Sequence, residues 1–128
     1  MKNSVVKFAS MEYDRLDAQA TLPAKLERLL LSINLKDMVE DKSVALKMHL
    51  GTNLGYTTIH PLFVKIIVDQ LKKAGGRVFI TDLDSSVASA KDRGYGEAVL
   101  GIPLISTTGL FDKYYYDHPV DFKTLDKV

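Results

Sequence analysis

Two histidines bracket one loop of this chain, at His49 and His60, and a lysine precedes the first of them at Lys47. Imidazoles ligate metals, move protons or cap helices, and a lysine set in an apolar run must reach solvent, pair with an acid or act as a base. The loop between the histidines also holds Gly51, Gly55, Thr57 and Thr58. Its glycines allow close backbone approach to a ligand, and Thr57, Thr58 and His60 stand where Pro61 opens a helix, a place that favours an anion. The expected chemistry is the binding of a small anionic molecule by Lys47, His49, Gly51, Thr57, Thr58, His60 and Asp82. Thr58 or His60 would serve equally well as an ordinary helix cap, since every helix start needs one. For Lys47, an ion pair with a structural carboxylate weighs ahead of a catalytic role.

A second chemistry uses the same side chains. His49, His60 and Asp82 could give a divalent metal two nitrogens and one oxygen, although their spacing matches no established metal signature. The loop is neither a phosphate loop, because no Gly-Lys-Ser/Thr follows, nor a dinucleotide fingerprint, because its glycines are too far apart.

These side chains need elements to hold them. Val44-Ala45-Leu46-Lys47-Met48 reads as a strand covered on both faces. From Pro61, the residues Leu62, Phe63, Val64, Ile66, Ile67, Val68 and Leu71 predict a largely buried helix with a narrow wet stripe at Lys65, Asp69 and Lys72, stopped by Gly75-Gly76. Arg77–Thr81 is the next strand. Strand, helix and strand make a βαβ unit, so the two strands should be parallel. Ligands of open α/β sheets bind at the carboxyl ends of the strands. That edge collects the 49–60 loop, Asp82 and Asp84, and Ser106-Thr107-Thr108-Gly109.

The remaining pattern is weaker. Val5–Ala9 predicts a first strand, and residues 22 to 33 predict an amphipathic helix capped by Thr21 with Pro23 in its first turn. Ser86–Arg93 predicts a short helix, Glu97–Leu100 a turn, and Ile102–Ser106 a further strand. The fold class is therefore α/β: a mostly parallel twisted sheet of about four strands with flanking helices.

Composition narrows the function. The 128 residues suit one domain; 46% are hydrophobic and 26% charged, which supports a packed core. A net charge of +1, with scattered basic residues, gives no case for nucleic acid or an anionic membrane. Without cysteine, the chain can ligate no iron–sulfur cluster of its own. Leu29-Leu30-Leu31 is too short to span a bilayer, and a cytoplasmic location is the default expectation.

Val44–Gly51, followed by Thr57-Thr58-Ile59-His60-Pro61 and Leu71-Lys72-Lys73-Ala74-Gly75, resembles the opening of the domain-of-unknown-function family 362, and Leu22-Pro23-Ala24-Lys25 fits it as well. The resemblance covers most of residues 4 to about 125. It implies a presumed site edge at Lys47, His49, Thr58, His60 and Asp82, with no assigned roles. It also implies association with a ferredoxin-like iron–sulfur module, whose cysteines this chain lacks. Three readings follow: a ligand-binding domain for a small anion, a metal-dependent enzyme, or a non-catalytic docking domain for an electron-transfer partner. Residues 1–128 are expected to form one domain, the N-terminal part of a larger unit, that self-associates through an edge or face of the sheet left open or exposes an apolar patch there; Tyr114-Tyr115-Tyr116 are expected to pack, and an exposed apolar patch near them would favour the docking reading.

Overall fold

The computed structural model describes residues 4–52, 55–109, 119–121 and 124. Tyr114–Tyr116 lie outside them. Helix α1 (Leu22–Leu31) opens on Thr21, whose side chain accepts from Ala24 N–H at 3.5 Å, with Pro23 in its first turn. It stops two residues short of the expected Ile33 because the Ser32 hydroxyl bonds back to the Leu29 carbonyl at 2.7 Å and Ser32 caps the helix. After α1 comes a short helix, α2 (Leu35–Val39), which overlaps the charged stretch Lys36–Lys42 and places Val39 in the core.

The βαβ unit forms as its sequence dictates. Strand β1 (Ser43–Lys47), helix α3 (Pro61–Lys73) and strand β2 (Arg77–Asp82) follow in order, and β1 pairs parallel with β2 from Ser43↔Arg77 to Lys47↔Thr81. Glycine ends α3: Gly75 takes φ +91°, the left-handed cap that a side chain resists. The chain then passes through α4 (Asp84–Ala90) and α5 (Glu97–Leu100) to β3 (Leu104–Ser106), which pairs parallel with β2.

The sheet has three strands, not about four. The segment expected as a first strand, Val5–Ala9, pairs with none of them; Val5, Val6 and Phe8 are each more than 80% exposed. Lys25 on α1 donates to the carbonyls of Ser10 and Glu12 at 2.7 and 2.5 Å, which draws this segment along α1 and away from either sheet edge.

Strand order β1-β2-β3 has a further consequence. Parallel crossovers are right-handed, so two crossovers made in the same direction place their helices on the same face. The core obeys this rule: Val64, Val68 and Leu71 of α3, Val87 and Ala90 of α4 and Leu100 of α5 join Val78 and Ile80 of β2 in one cluster. Side chains of the opposite parity, Ala45, Phe79 and Ile105, are not among its members. β1 is therefore not covered on both faces as its apolar run suggested; Val44 and Leu46 turn inward while Ser43, Ala45 and Lys47 are exposed. Helix α1 forms an outer layer on α3, tied to it by Gln70 donating to Glu27 at 3.0 Å. Among the described residues, no helix is long and apolar enough to cross a membrane.

This parity can be measured. Ile80→Ala, at a fully buried position, should cost about 2–5 kcal/mol in chemical denaturation. Ala45→Ser, at an exposed position of the opposite face, should stay within about 0.5 kcal/mol. Equal losses would mean that both faces are packed.

Candidate functional site

The carboxyl edge of the sheet is organised by Asp82, the last residue of β2 and only 4% exposed. One carboxylate oxygen accepts from Lys47 Nζ at 2.9 Å and the other from the Leu50 backbone N–H at 2.8 Å. Burial pushes this carboxyl up, but the backbone N–H groups of Leu50 and Leu83 and the ammonium of Lys47 outweigh it and bring the pKa down to about 2 from 3.8. Lys47 is the lysine that the apolar strand had to reconcile, and it resolves as an ion pair. Its own side chain remains 55% exposed at the rim.

Leu50, whose N–H meets Asp82, is fully buried. Its carbonyl accepts from Arg93 Nη2, so one residue of the loop is gripped by a carboxylate on its N–H and by a guanidinium on its C=O. Gly51 follows with φ +66°, a left-handed turn that sends the loop onward. Arg93 comes from the 3₁₀ turn after α4, where Nε donates to the Ser89 carbonyl at 3.2 Å and Nη2 also reaches Ser89 Oγ at 3.2 Å. Its guanidinium stacks 5.6 Å from the ring centre of Tyr95.

Gly55 explains its own identity here. A Cβ at that position would lie 2.7 Å from Arg93 Cδ and 2.8 Å from Nη1, so the glycine makes room for an arginine of the same chain. The group that approaches Gly55 closely in this fold is the Arg93 side chain.

The helix start is closed tightly. His60 caps α3, its Nδ1 accepting from Leu62 N–H at 3.2 Å, while its carbonyl takes Phe63 N–H at 3.0 Å. Pro61 has no N–H to offer. The first N–H groups of this helix are thus occupied and do not form the open anion seat suggested by the sequence. Thr58 Oγ1 donates to the Gly55 carbonyl and receives the Tyr95 hydroxyl at 2.8 Å; the same hydroxyl also contacts the Ile59 carbonyl. His49 Nε2 sits 3.3 Å from Thr57 Oγ1 on the exposed side of the loop.

The seven residues singled out in the sequence therefore separate into local groups. Lys47 and Asp82 pair, with Gly51 following the Leu50 clamp; His49 meets Thr57; Thr58 and His60 line a cleft of about 370 Å3 with Gly55, Tyr56, Pro61, Arg93 and Tyr95. His49, His60 and Asp82 do not meet as a metal triad: among the described residues, no three His, Asp or Glu side chains gather closely enough to hold an ion, and both Asp82 oxygens are engaged. Farther along the edge, Thr108 Oγ1 bonds Asp84 at 3.0 Å and Ser106 Oγ at 2.8 Å.

Arg93 and Tyr95 were not legible as site residues. They lie where the hydrophobic pattern fades, and their one signal is an aromatic flanked by glycines at Gly94-Tyr95-Gly96. Gly94 takes φ +88°, and a Cβ there would meet Pro61 Cγ at 3.1 Å, so this turn packs against the start of α3. Among the described residues, Arg93 Nη1 is a buried side-chain nitrogen with no hydrogen-bond partner.

The family model described as Domain of unknown function (DUF362) matches residues 44–128. The chain belongs to the DUF362 family. The match begins at Val44, so in this DUF362 chain it takes in the βαβ unit apart from Ser43, the Asp82 clamp and the Arg93 cleft, and leaves out α1 and α2. No curated protein and no solved structure matches the chain.

The Asp82 contacts set a pH dependence. A carboxyl whose folded pKa is lowered contributes stability above its unfolded value and loses it as pH falls through the folded one. With values of 3.8 and about 2, Asp82 should contribute about 2 kcal/mol at neutral pH, most of it lost between about pH 4 and pH 2. Asp82→Asn should be less stable by that order at pH 7, and the gap should close in acid. Denaturation midpoints from pH 2 to 7 test this; a gap independent of pH would contradict it.

Proposed function

We propose that this DUF362 chain binds a small anionic molecule in the cleft between the Gly55–Pro61 turn and Arg93. The observation that carries this reading is Arg93 Nη1. A buried donor without a partner costs about 1–3 kcal/mol, and a buried charged one calls for a water or an ion to complete it. Every other donor of that guanidinium is committed to Leu50 or Ser89. The cleft stands at the carboxyl edge of a parallel sheet, where open α/β folds hold their ligands. Lys47, paired with Asp82, supports the frame of the site.

The reading is tested by following backbone amide resonances while sodium acetate and inorganic phosphate are added separately at constant ionic strength. Saturable shifts are expected at Gly55–Thr58 and Arg93–Tyr95 with at least one of the two anions, and Arg93→Gln should abolish them. Shifts that never saturate, or that persist unchanged in Arg93→Gln, would overturn the proposal.

A further inference from the structure

We infer that this chain exchanges its N-terminal arm with a second copy, Val5–Ala9 of one molecule adding as a strand to the open β1 edge of the other. An edge without a neighbour and a strand-like segment without a sheet occur in the same chain. β1 is an outer strand of the order β1-β2-β3. The Lys42 carbonyl takes Arg77 N–H at 2.8 Å and Met48 N–H donates to the Thr81 carbonyl at 3.4 Å, so the even-numbered residues direct their peptide groups at β2. Those of Ser43, Ala45 and Lys47 face outward, because peptide directions alternate along a strand. Among the described residues, nothing bonds them. Such an edge is a template for another strand. The apolar row along it is also unfinished: Val78 and Ile80 of the central strand are buried, whereas Val44, Leu46 and the following Met48 are only partly covered.

The arm supplies what this edge lacks. Valine and phenylalanine favour strands, and Val6 and Phe8 alternate with Val5, Lys7 and Ala9. Val5, Val6 and Phe8 are exposed, and among the described residues no partner bonds the backbone of Val5–Ala9. Set in register with Lys7 opposite Ala45, in either strand direction, Val6 and Phe8 stand on the side of Val44 and Leu46 and extend the core. Lys7 then stands on the opposite side with Ser43, Ala45 and Lys47.

The arm cannot serve its own edge. Lys25 of α1 holds the carbonyls of Ser10 and Glu12, and Phe8 and Ala9 line a groove with Arg28 and Leu29 of the same helix. Helix α1 lies about 8–10 Å beyond α3, and α3 is itself a layer on the sheet. The five residues ahead of Ser10 span at most about 18 Å. Crossing two layers would use that length and leave none to lie along β1. A second molecule can bring its edge to the arm instead. A reciprocal two-fold exchange counts each arm and each edge twice and buries on the order of 1,200 Å2, the lower end of a specific interface. A net charge of +1 sets little repulsion between copies.

Sedimentation velocity of the full chain over a concentration series should show a monomer–dimer equilibrium. Phe8→Asp sets a charge against Val44 and Leu46 and should raise the dissociation constant about tenfold or more. Ala45→Pro should do the same, since proline removes an outward donor and is tolerated on an outer strand. Phe8 is exposed in the single chain, so Phe8→Asp should melt like wild type at low concentration. The chain has no cysteine, so Lys7→Cys and Ala45→Cys variants mixed in equal amounts report the contact itself: oxidation should link them into a dimer in higher yield than either variant alone. The proposal falls if the chain is monomeric at every concentration, if the dimer is indifferent to both Phe8→Asp and Ala45→Pro, or if the mixed pair yields no linked dimer.

Discussion

A carboxylate taken out of water is tolerated only where donors replace its hydration, and this sheet edge is arranged around one such group. Asp82 ends β2 and receives the Leu50 N–H from the loop after β1, the ammonium of Lys47 from β1 itself, and the N–H of Leu83. Its backbone carbonyl takes Thr107 N–H at 3.0 Å, from the loop after β3. A single residue therefore joins the exits of all three strands. Arg93 completes the arrangement from the helical side by taking the Leu50 carbonyl. With its N–H held by an anion and its C=O by a cation, the Leu50 peptide is fixed in one orientation, and the loop that walls the cleft inherits that orientation. Preorganisation of this kind is what a shallow site needs if weak contacts are to add up.

The topology decides where such a site can stand. In a sheet whose strand order reverses, a crevice opens between helices on opposite faces. Here the order runs β1-β2-β3, and α3, α4 and α5 share one face. The cleft is consequently built beside the sheet edge, between the start of α3 and the turn after α4, where Gly94 packs on Pro61. The opposite face keeps Ala45, Phe79 and Ile105 outside the core.

Much of this was readable where local chemistry and packing agree. The apolar run after Pro61, the Gly75-Gly76 stop and the β-rich residues on either side impose a parallel pair, because each signal asks for the same fold. Thr21 as a cap and Lys47 as an ion-paired strand lysine follow from the same reasoning. Three things resisted. Val5–Ala9 has strand composition, but pairing is a non-local event, and Lys25 draws the following residues along α1 instead. The uncovered face of β1 could not be told from a buried one, since Ala45 suits either. Arg93 gave no sign because an arginine acquires meaning only through what surrounds it: a glycine that yields space at 55, a carbonyl at 50, a serine at 89. His60 stood for two readings at once. The structure shows it capping α3 through Nδ1.

The account depends most on the Leu50 peptide being clamped. Amide hydrogen exchange at Leu50 addresses this directly, in wild type and in Asp82→Asn. Clamping predicts that the wild-type Leu50 amide exchanges only through large-scale unfolding, as slowly as Ile80 in the core strand, and that Asp82→Asn speeds it selectively relative to Ile80. A Leu50 amide that exchanges in wild type as fast as exposed loop amides such as Thr52 would contradict the account, because the loop would then not be set by Asp82.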